Sequence, residues 1–177
     1  MVLDEAYAEF VGRSLLDLRF RHPNLVVVRT ASKAYALAGL RVGFAVARPE
    51  TIARIAPYRP PGSVSTISVT VVTAALAEPR AMVANVERVD AERDRLAADL
   101  RATGWSVGPS VTNFLLVDFG TAERAAAVAT GLLERGLVPR TFAAGHLLAH
   151  CLRLTIRDRE GNERLADAAA WIEGNRP

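Results

Sequence analysis

The sequence is short of lysine. Of its 22 basic residues, Lys33 is the only lysine and the other 21 are arginines. Arginine stays charged at any relevant pH but has no amine to offer, so positive charge alone does not call for a lysine here. A lysine amine can lose its proton when buried and attack a carbonyl to form an imine. On the count alone, chance and chemical need both stay open. Cysteine is equally scarce. Cys151 stands alone, which excludes an internal disulfide and fits a reducing cytoplasm. Beside Leu152 it reads as a small core residue rather than a nucleophile. No apolar run reaches ~18 residues without charge, so no membrane span is expected. The opening MVLDEAYAEF lacks the basic region and long apolar run of a signal peptide. Repeats are missing as well. A concentrated nucleic-acid patch is also missing: the net charge is +3, and the arginines alternate with acids, as in ERVDAERDRLAADLRATG, the pattern of a solvated helix face.

Half of the 177 residues are hydrophobic, enough for a sizeable core. Strand and helix signals alternate along the chain. MVLDEAY begins as a strand, NLVVVRTA (24–31) reads as a buried parallel strand, and VGFAVA (42–47) as a third. A helix starts at Pro49 and stops at Pro57, and a loop rich in proline and glycine follows. Residues 65–77 are small and apolar, which predicts a mostly buried helix. From Pro79 to Thr103 the spacing of Met82, Val86, Val89, Leu96 and Leu100 predicts one long helix, stopped by Gly104. Beyond it lie a strand at 112–119, a helix at 121–135, a short strand around Leu137–Val138, a strand at 151–156 and a helix at 161–173. The fold class is α/β. Residues 1–78 form part of a larger, mainly parallel layer, 79–104 a connecting helix and 105–177 a small α+β domain.

Five chemically distinct groups fall at predicted strand ends. Asp4 and Tyr7 end the first strand, Ser32 and Lys33 end the second, and Arg41 precedes the third. Ligands bind at the carboxyl ends of parallel strands, so these groups can converge on one rim. Pyridoxal phosphate has a use for each: an aldehyde for the amine, a ring nitrogen for the acid, a ring oxygen for the phenol, and a phosphate for hydroxyl and guanidinium. Taken singly, each residue has an ordinary reading as a turn cap, a packing ring or a chance dipeptide.

VLDEAYAEF and NLVVVRTASKAYALAGLRVGFAVA, with the spacing between them, resemble the fold type I, class I/II aminotransferases, and among these the histidinol-phosphate aminotransferases. The likeness continues through TNFLLV, the arginine of GLVPR, and CLRLTI, so it covers nearly the whole chain. The resemblance implies that Lys33 bonds covalently to pyridoxal 5'-phosphate. Asp4 then pairs with the ring nitrogen, Tyr7 with the ring oxygen, and Ser32 and Arg41 with the phosphate. Arg153 and Arg140 take substrate anions, and no metal is involved. It implies transamination between histidinol phosphate and 2-oxoglutarate in a cytoplasmic homodimer, with small-molecule substrates and neither nucleic acid nor membrane as partner. An aromatic amino acid aminotransferase, a decarboxylase of phosphorylated amino acids and a non-catalytic phosphate-binding α/β module stay open. RDREGNERL departs from the family's usual glycine-containing turn after RLTI. The family has about half its length upstream of the D-E-A-Y motif, which implies that this chain is the carboxyl-terminal part and inactive alone.

Overall fold

Three consecutive valines form the centre of the first sheet. β-Branched side chains are stiff about χ1 and pack well on a pleated surface, and Val26 to Val28 extend into a strand accordingly. In the computed structural model, which describes residues 1–175, the first sheet has the order β1 (Val2–Asp4), β2 (Val26–Thr30), β3 (Gly43–Val46). β1 runs parallel to β2, whereas β3 runs antiparallel to it. A Cβ at Gly43 would lie 3.2 Å from the Arg29 carbonyl oxygen, so the tight entry into β3 suits glycine.

The chain divides into two compact units, Met1–Glu87 and Arg88–Pro177. In the first, the short helix α1 (Ala8–Val11) follows β1 and ends at Gly12, whose φ is +71°. Helix α2 (Pro49–Ile55) starts on its proline, and α3 (Thr66–Ala77) is capped by Ser65, whose hydroxyl accepts the Ser68 N–H at 3.1 Å. The expected burial of this last helix is not found. Only Ser68 and Val72 are buried, while Ile67 is 73% exposed and Val69, Val71 and Leu76 are exposed too. Apolar composition all round marks a helix for burial, yet one stripe alone finds partners within these residues, with Val72 packing on Ala31 and Val42.

Helix α4 (Arg80–Ala102) carries the predicted stripe, and the division between the units falls inside it. Gly104, at φ +90°, ends the turn that follows. In the second unit, β4 (Ser106–Val107), β5 (Phe114–Asp118) and β6 (Cys151–Thr155) form an antiparallel sheet in that order. Helices α5 (Ala122–Leu133) and α6 (Arg159–Gly174) pack with it, and Leu96, Leu100, Leu115, Leu132 and Leu152 make its core. α6 begins at Arg159 rather than near 161, because Asp158 caps it by accepting the Gly161 N–H at 3.0 Å. The short strand expected around Leu137–Val138 is absent. The pairing falls at Arg140, which bridges to Arg153.

The charged face of α4 needs a correction as well. Glu92 and Arg93 are each 8% exposed rather than solvated. Glu92 accepts Asn162 Nδ2 at 3.1 Å and Arg95 at 2.7 Å, and Arg93 pairs with Asp90 at 2.5 Å. Buried charges are tolerated when paired in this way. Among the described residues, no single helix is long and apolar enough to cross a membrane.

Candidate active site

Strand direction gathers the five candidate groups of the first unit. β1 and β2 are parallel, so their carboxyl ends lie together: Asp4 pairs with Val28, and the Glu5 N–H donates to the Val28 carbonyl at 2.8 Å. The antiparallel β3 brings its amino end to the same edge, with Gly43 opposite Thr30 and the Ala31 N–H donating to the Val42 carbonyl at 3.2 Å. Ser32 and Lys33 follow Ala31 directly and Arg41 directly precedes Val42, so all three leave the sheet at this edge. A parallel third strand would have carried Arg41 to the opposite end.

Lys33 is half-buried, with Nζ 5.7 Å from the centroid of the Tyr7 ring. Tyr7 in turn lies 6.0 Å from Phe10, ring to ring. Asp4 is exposed, and its Oδ1 accepts the Ala6 N–H at 2.8 Å. It therefore closes a local turn through Oδ1. Arg41 is exposed, donates from Nη1 to the Ala38 carbonyl at 2.8 Å, and has no carboxylate partner among the described residues. Asp4 and Tyr7 also line a cavity of about 300 Å³ with Leu3, Ala6 and Val11.

The loop after Lys33 is held under strain. Ala36 and Arg41 have φ of 57° and 56°, values that side chains rarely adopt. The loop is pinned by the Leu37 N–H to the Ala31 carbonyl at 3.1 Å and by Asn85 Nδ2 to the Ala34 carbonyl at 2.8 Å. Thr30 braces the near side: its hydroxyl donates to the Val42 carbonyl at 3.2 Å and accepts the Ser32 N–H at 3.1 Å. Thr30 and Asn85 escape a sequence reading. Thr30 had a signal in its place just before the SK pair. Asn85 had none, because its partner lies 51 residues away.

Beneath the rim, Glu5 is buried and accepts the Ser14 hydroxyl at 2.7 Å, the Leu15 N–H at 2.6 Å and Arg29 at 2.9 Å. Burial pushes its carboxyl up, but the bonds from Ser14, Leu15 and Arg29 outweigh this and hold it below the ordinary glutamate range. Arg29 reaches Glu9 as well, at 3.3 Å.

Arg140 and Arg153 belong to the second unit, and the structure brings them together. Their backbones exchange two hydrogen bonds, each of 3.0 Å. Residues directly opposite in an antiparallel pair share a face, so both guanidiniums stand on one side. Both are exposed, and Arg153 lies 5.1 Å above the Phe114 ring. Its neighbours Leu152 and Leu154 are buried, so strand alternation turns Arg153 outward from an otherwise apolar strand.

Fold and rim together define an α/β chain whose strand-end amine stands with an acid, a phenol and a phosphate-suited pair. The chain belongs to the family of class I and II aminotransferases, whose model matches residues 1–168. It is 39% identical over 170 residues to a histidinol-phosphate aminotransferase of Roseiflexus castenholzii, spanning 94% of this chain and 46% of that protein. The corresponding protein of Syntrophotalea carbinolica is 38% identical over 174 residues, spanning 97% and 49%. The solved structure of histidinol-phosphate aminotransferase from Sinorhizobium meliloti, in complex with pyridoxal-5'-phosphate, superposes with a TM-score of 0.90 at 30% identity, covering 98% of this chain and 48% of its own. The chain thus spans about half the length of the relatives it matches.

Proposed function

We propose that these residues are the lysine-bearing part of a pyridoxal-phosphate-dependent aminotransferase that exchanges an amino group between histidinol phosphate and 2-oxoglutarate. One observation carries the reading: a single sheet edge gathers an amine, a carboxylate, a phenol, a hydroxyl and a guanidinium, and the amine is the chain's only lysine.

The donor set fits the cofactor group by group. When bound, pyridoxal phosphate supplies an aldehyde for a primary amine and a ring that takes up the electron pair left on carbon when a proton departs. Lys33 would hold the aldehyde, and once the donor's amino group has displaced it there, the freed Nζ would take the proton from the donor's α-carbon. Asp4 holds a proton on the ring nitrogen, a task that a neutral side chain performs poorly. The Tyr7 hydroxyl donates to the ring oxygen. Ser32 and Arg41 hold the phosphate, and the strained backbone at Arg41 supports this, since strain of this kind persists where surrounding structure imposes a functional geometry. Arg153 and Arg140 bind the substrate's anionic groups. Two guanidiniums on one strand face repel each other unless an anion lies between them, and a fork geometry suits carboxylate and phosphate alike.

Identities of 38–39% to proteins of that name support histidinol phosphate as the donor. The reading includes a homodimeric, cytoplasmic enzyme whose remaining cofactor contacts come from outside this chain. Residues 1–78 then belong to a large cofactor-binding domain, 79–104 to the connecting helix and 105–177 to a small domain.

The test uses the single lysine. The chain is mixed with pyridoxal phosphate, reduced with borohydride, digested and weighed. A saturable adduct on the Lys33 peptide is expected, lost in Lys33→Arg and weakened in Arg41→Ala. A wild-type chain that gains no adduct at Lys33 would overturn the reading.

A further inference from the structure

The second unit contains a group of potential metal ligands that the amino-transfer reading does not use. Asp118, His150 and Cys151 offer a carboxylate oxygen, an imidazole nitrogen and a thiol sulfur, all within 4.8 Å of one another. We propose that these three side chains bind one divalent transition-metal ion of the zinc class, with a fourth position left for water or a small ligand.

The backbone sets up the group. Asp118 and Cys151 are the terminal partners of the β5–β6 ladder, so their side chains leave the sheet on one face. His150 comes just before β6 begins, where strand alternation does not yet apply. Its carbonyl accepts the Phe119 N–H at 3.0 Å, which fixes it beside Asp118. His150 Nε2 and Asp118 Oδ1 are then 3.7 Å apart. Two ligands of a tetrahedral ion bonded at about 2.0–2.3 Å stand roughly 3.3–3.8 Å from each other, so the His150–Asp118 pair already has this spacing and the sulfur, within 4.8 Å of both, closes in by about 1 Å.

The ligand types select the metal. A thiolate and an imidazole favour zinc or cobalt over magnesium or calcium, which prefer oxygen alone. Three protein ligands and one open position match an accessible zinc site better than a closed structural one. A supporting contact is present. Asp118 Oδ1 also accepts the Gly120 N–H at 2.8 Å, which orients the carboxylate. Cys151 is buried, while Asp118 is exposed and His150 half-buried, so the group lies at the edge of the unit with two of its three ligands open to solvent. Binding forms a metal–sulfur bond and releases the thiol proton to solvent, with no change of oxidation state.

The proposal does not depend on pyridoxal phosphate. The purified chain is titrated with Co²⁺ followed by visible and near-ultraviolet absorption, then with Zn²⁺ in competition. The expected result is one Co²⁺ per chain, with the bands of tetrahedral coordination and a sulfur-to-cobalt charge-transfer band, all abolished by Zn²⁺. Cys151→Ser should lose the charge-transfer band. Asp118→Asn, at an exposed position and close in shape, should keep the fold by circular dichroism and weaken binding by at least ~10-fold. His150→Ala should weaken it similarly. A cobalt spectrum that stays that of the aqueous ion overturns the proposal, as does an unchanged affinity and spectrum in the folded Asp118→Asn chain.

Discussion

Lys33 cannot be exchanged for another cation if its amine is the reacting group. Lys33→Arg keeps the charge and the approach to Tyr7 but loses the only side-chain amine, so borohydride-trapped cofactor should vanish from it as fully as from Lys33→Ala. In a complete enzyme, the loss of a general acid and base alone amounts to about 10²–10⁴-fold in rate, and loss of covalent capture should carry the defect further. A Lys33→Arg enzyme with wild-type turnover would contradict the assignment. Asp4 tests the ring partner. Asp4→Asn preserves shape and can still close the turn with Ala6, whose N–H the wild-type carboxylate accepts at 2.8 Å. It should therefore bind cofactor but turn over far more slowly, while Tyr7→Phe should be milder. Parallel measurement of cofactor affinity and of kcat separates these roles. Cys151, expected as a small core residue, is 3% exposed.

At the level of elements, two buried acids tie strands and helices together and make stability depend on pH. Glu5 lies below the ordinary glutamate range because its hydrogen bonds outweigh burial. Glu92 lies below it through the Asn162 hydrogen bond foremost, with burial opposing and Arg95 assisting. A carboxyl whose folded pKa is depressed binds its proton more readily in the unfolded chain. The stability from both is thus fully present above the unfolded value of about 4.3 and is lost as pH falls through the folded values. Urea midpoints should hold steady from neutral pH to about 5 and fall below that. Asn162→Ala removes a buried partner that bridges Glu92 and the Arg157 carbonyl. It should cost about 1–3 kcal/mol at neutral pH and flatten the acid dependence, since Glu92 loses its largest stabilising contact. Core truncation gives a contrast that pH should not affect: Leu132→Ala, at a fully buried position, should cost about 2–5 kcal/mol at either pH.

For the molecule as a whole, the exposed apolar residues of α3 have a consequence. Ile67, Val69, Val71 and Leu76 face solvent in the first unit. Large apolar side chains exposed on both flanks of one helix favour association. The isolated chain should therefore elute above its monomer mass. Ile67→Lys with Leu76→Lys should return it toward monomer while changing stability by no more than about 0.5 kcal/mol per site, as surface substitutions do. Light scattering with a denaturation curve reads both. Amino transfer from glutamate by the chain alone is expected to be undetectable, because catalysis needs the cofactor ring held on both faces and the matched relatives are about twice as long. Turnover by these 177 residues unaided would refute the proposal that further contacts come from outside them.

The sequence by itself determined what depends on neighbours a few residues apart. The valine run specified β2, the three-and-four spacing specified α4, Gly104 ended it, and the SKAY and LRVG stretches placed an amine and a guanidinium at strand ends. These are local matters of backbone preference and side-chain periodicity. The tertiary structure decided what depends on residues far apart. The antiparallel run of β3 carried Arg41 to the Lys33 edge, and the bridge between Arg140 and Arg153 put two guanidiniums on one face. Asn162 turned Glu92 from a surface charge into a buried one across 70 residues. Asn85 reached the Lys33 loop, and the β5–β6 register set Asp118 beside His150 and Cys151. The burial of α3 went the other way, because apolar composition states what a helix can bury and only its packed neighbours settle what it does bury.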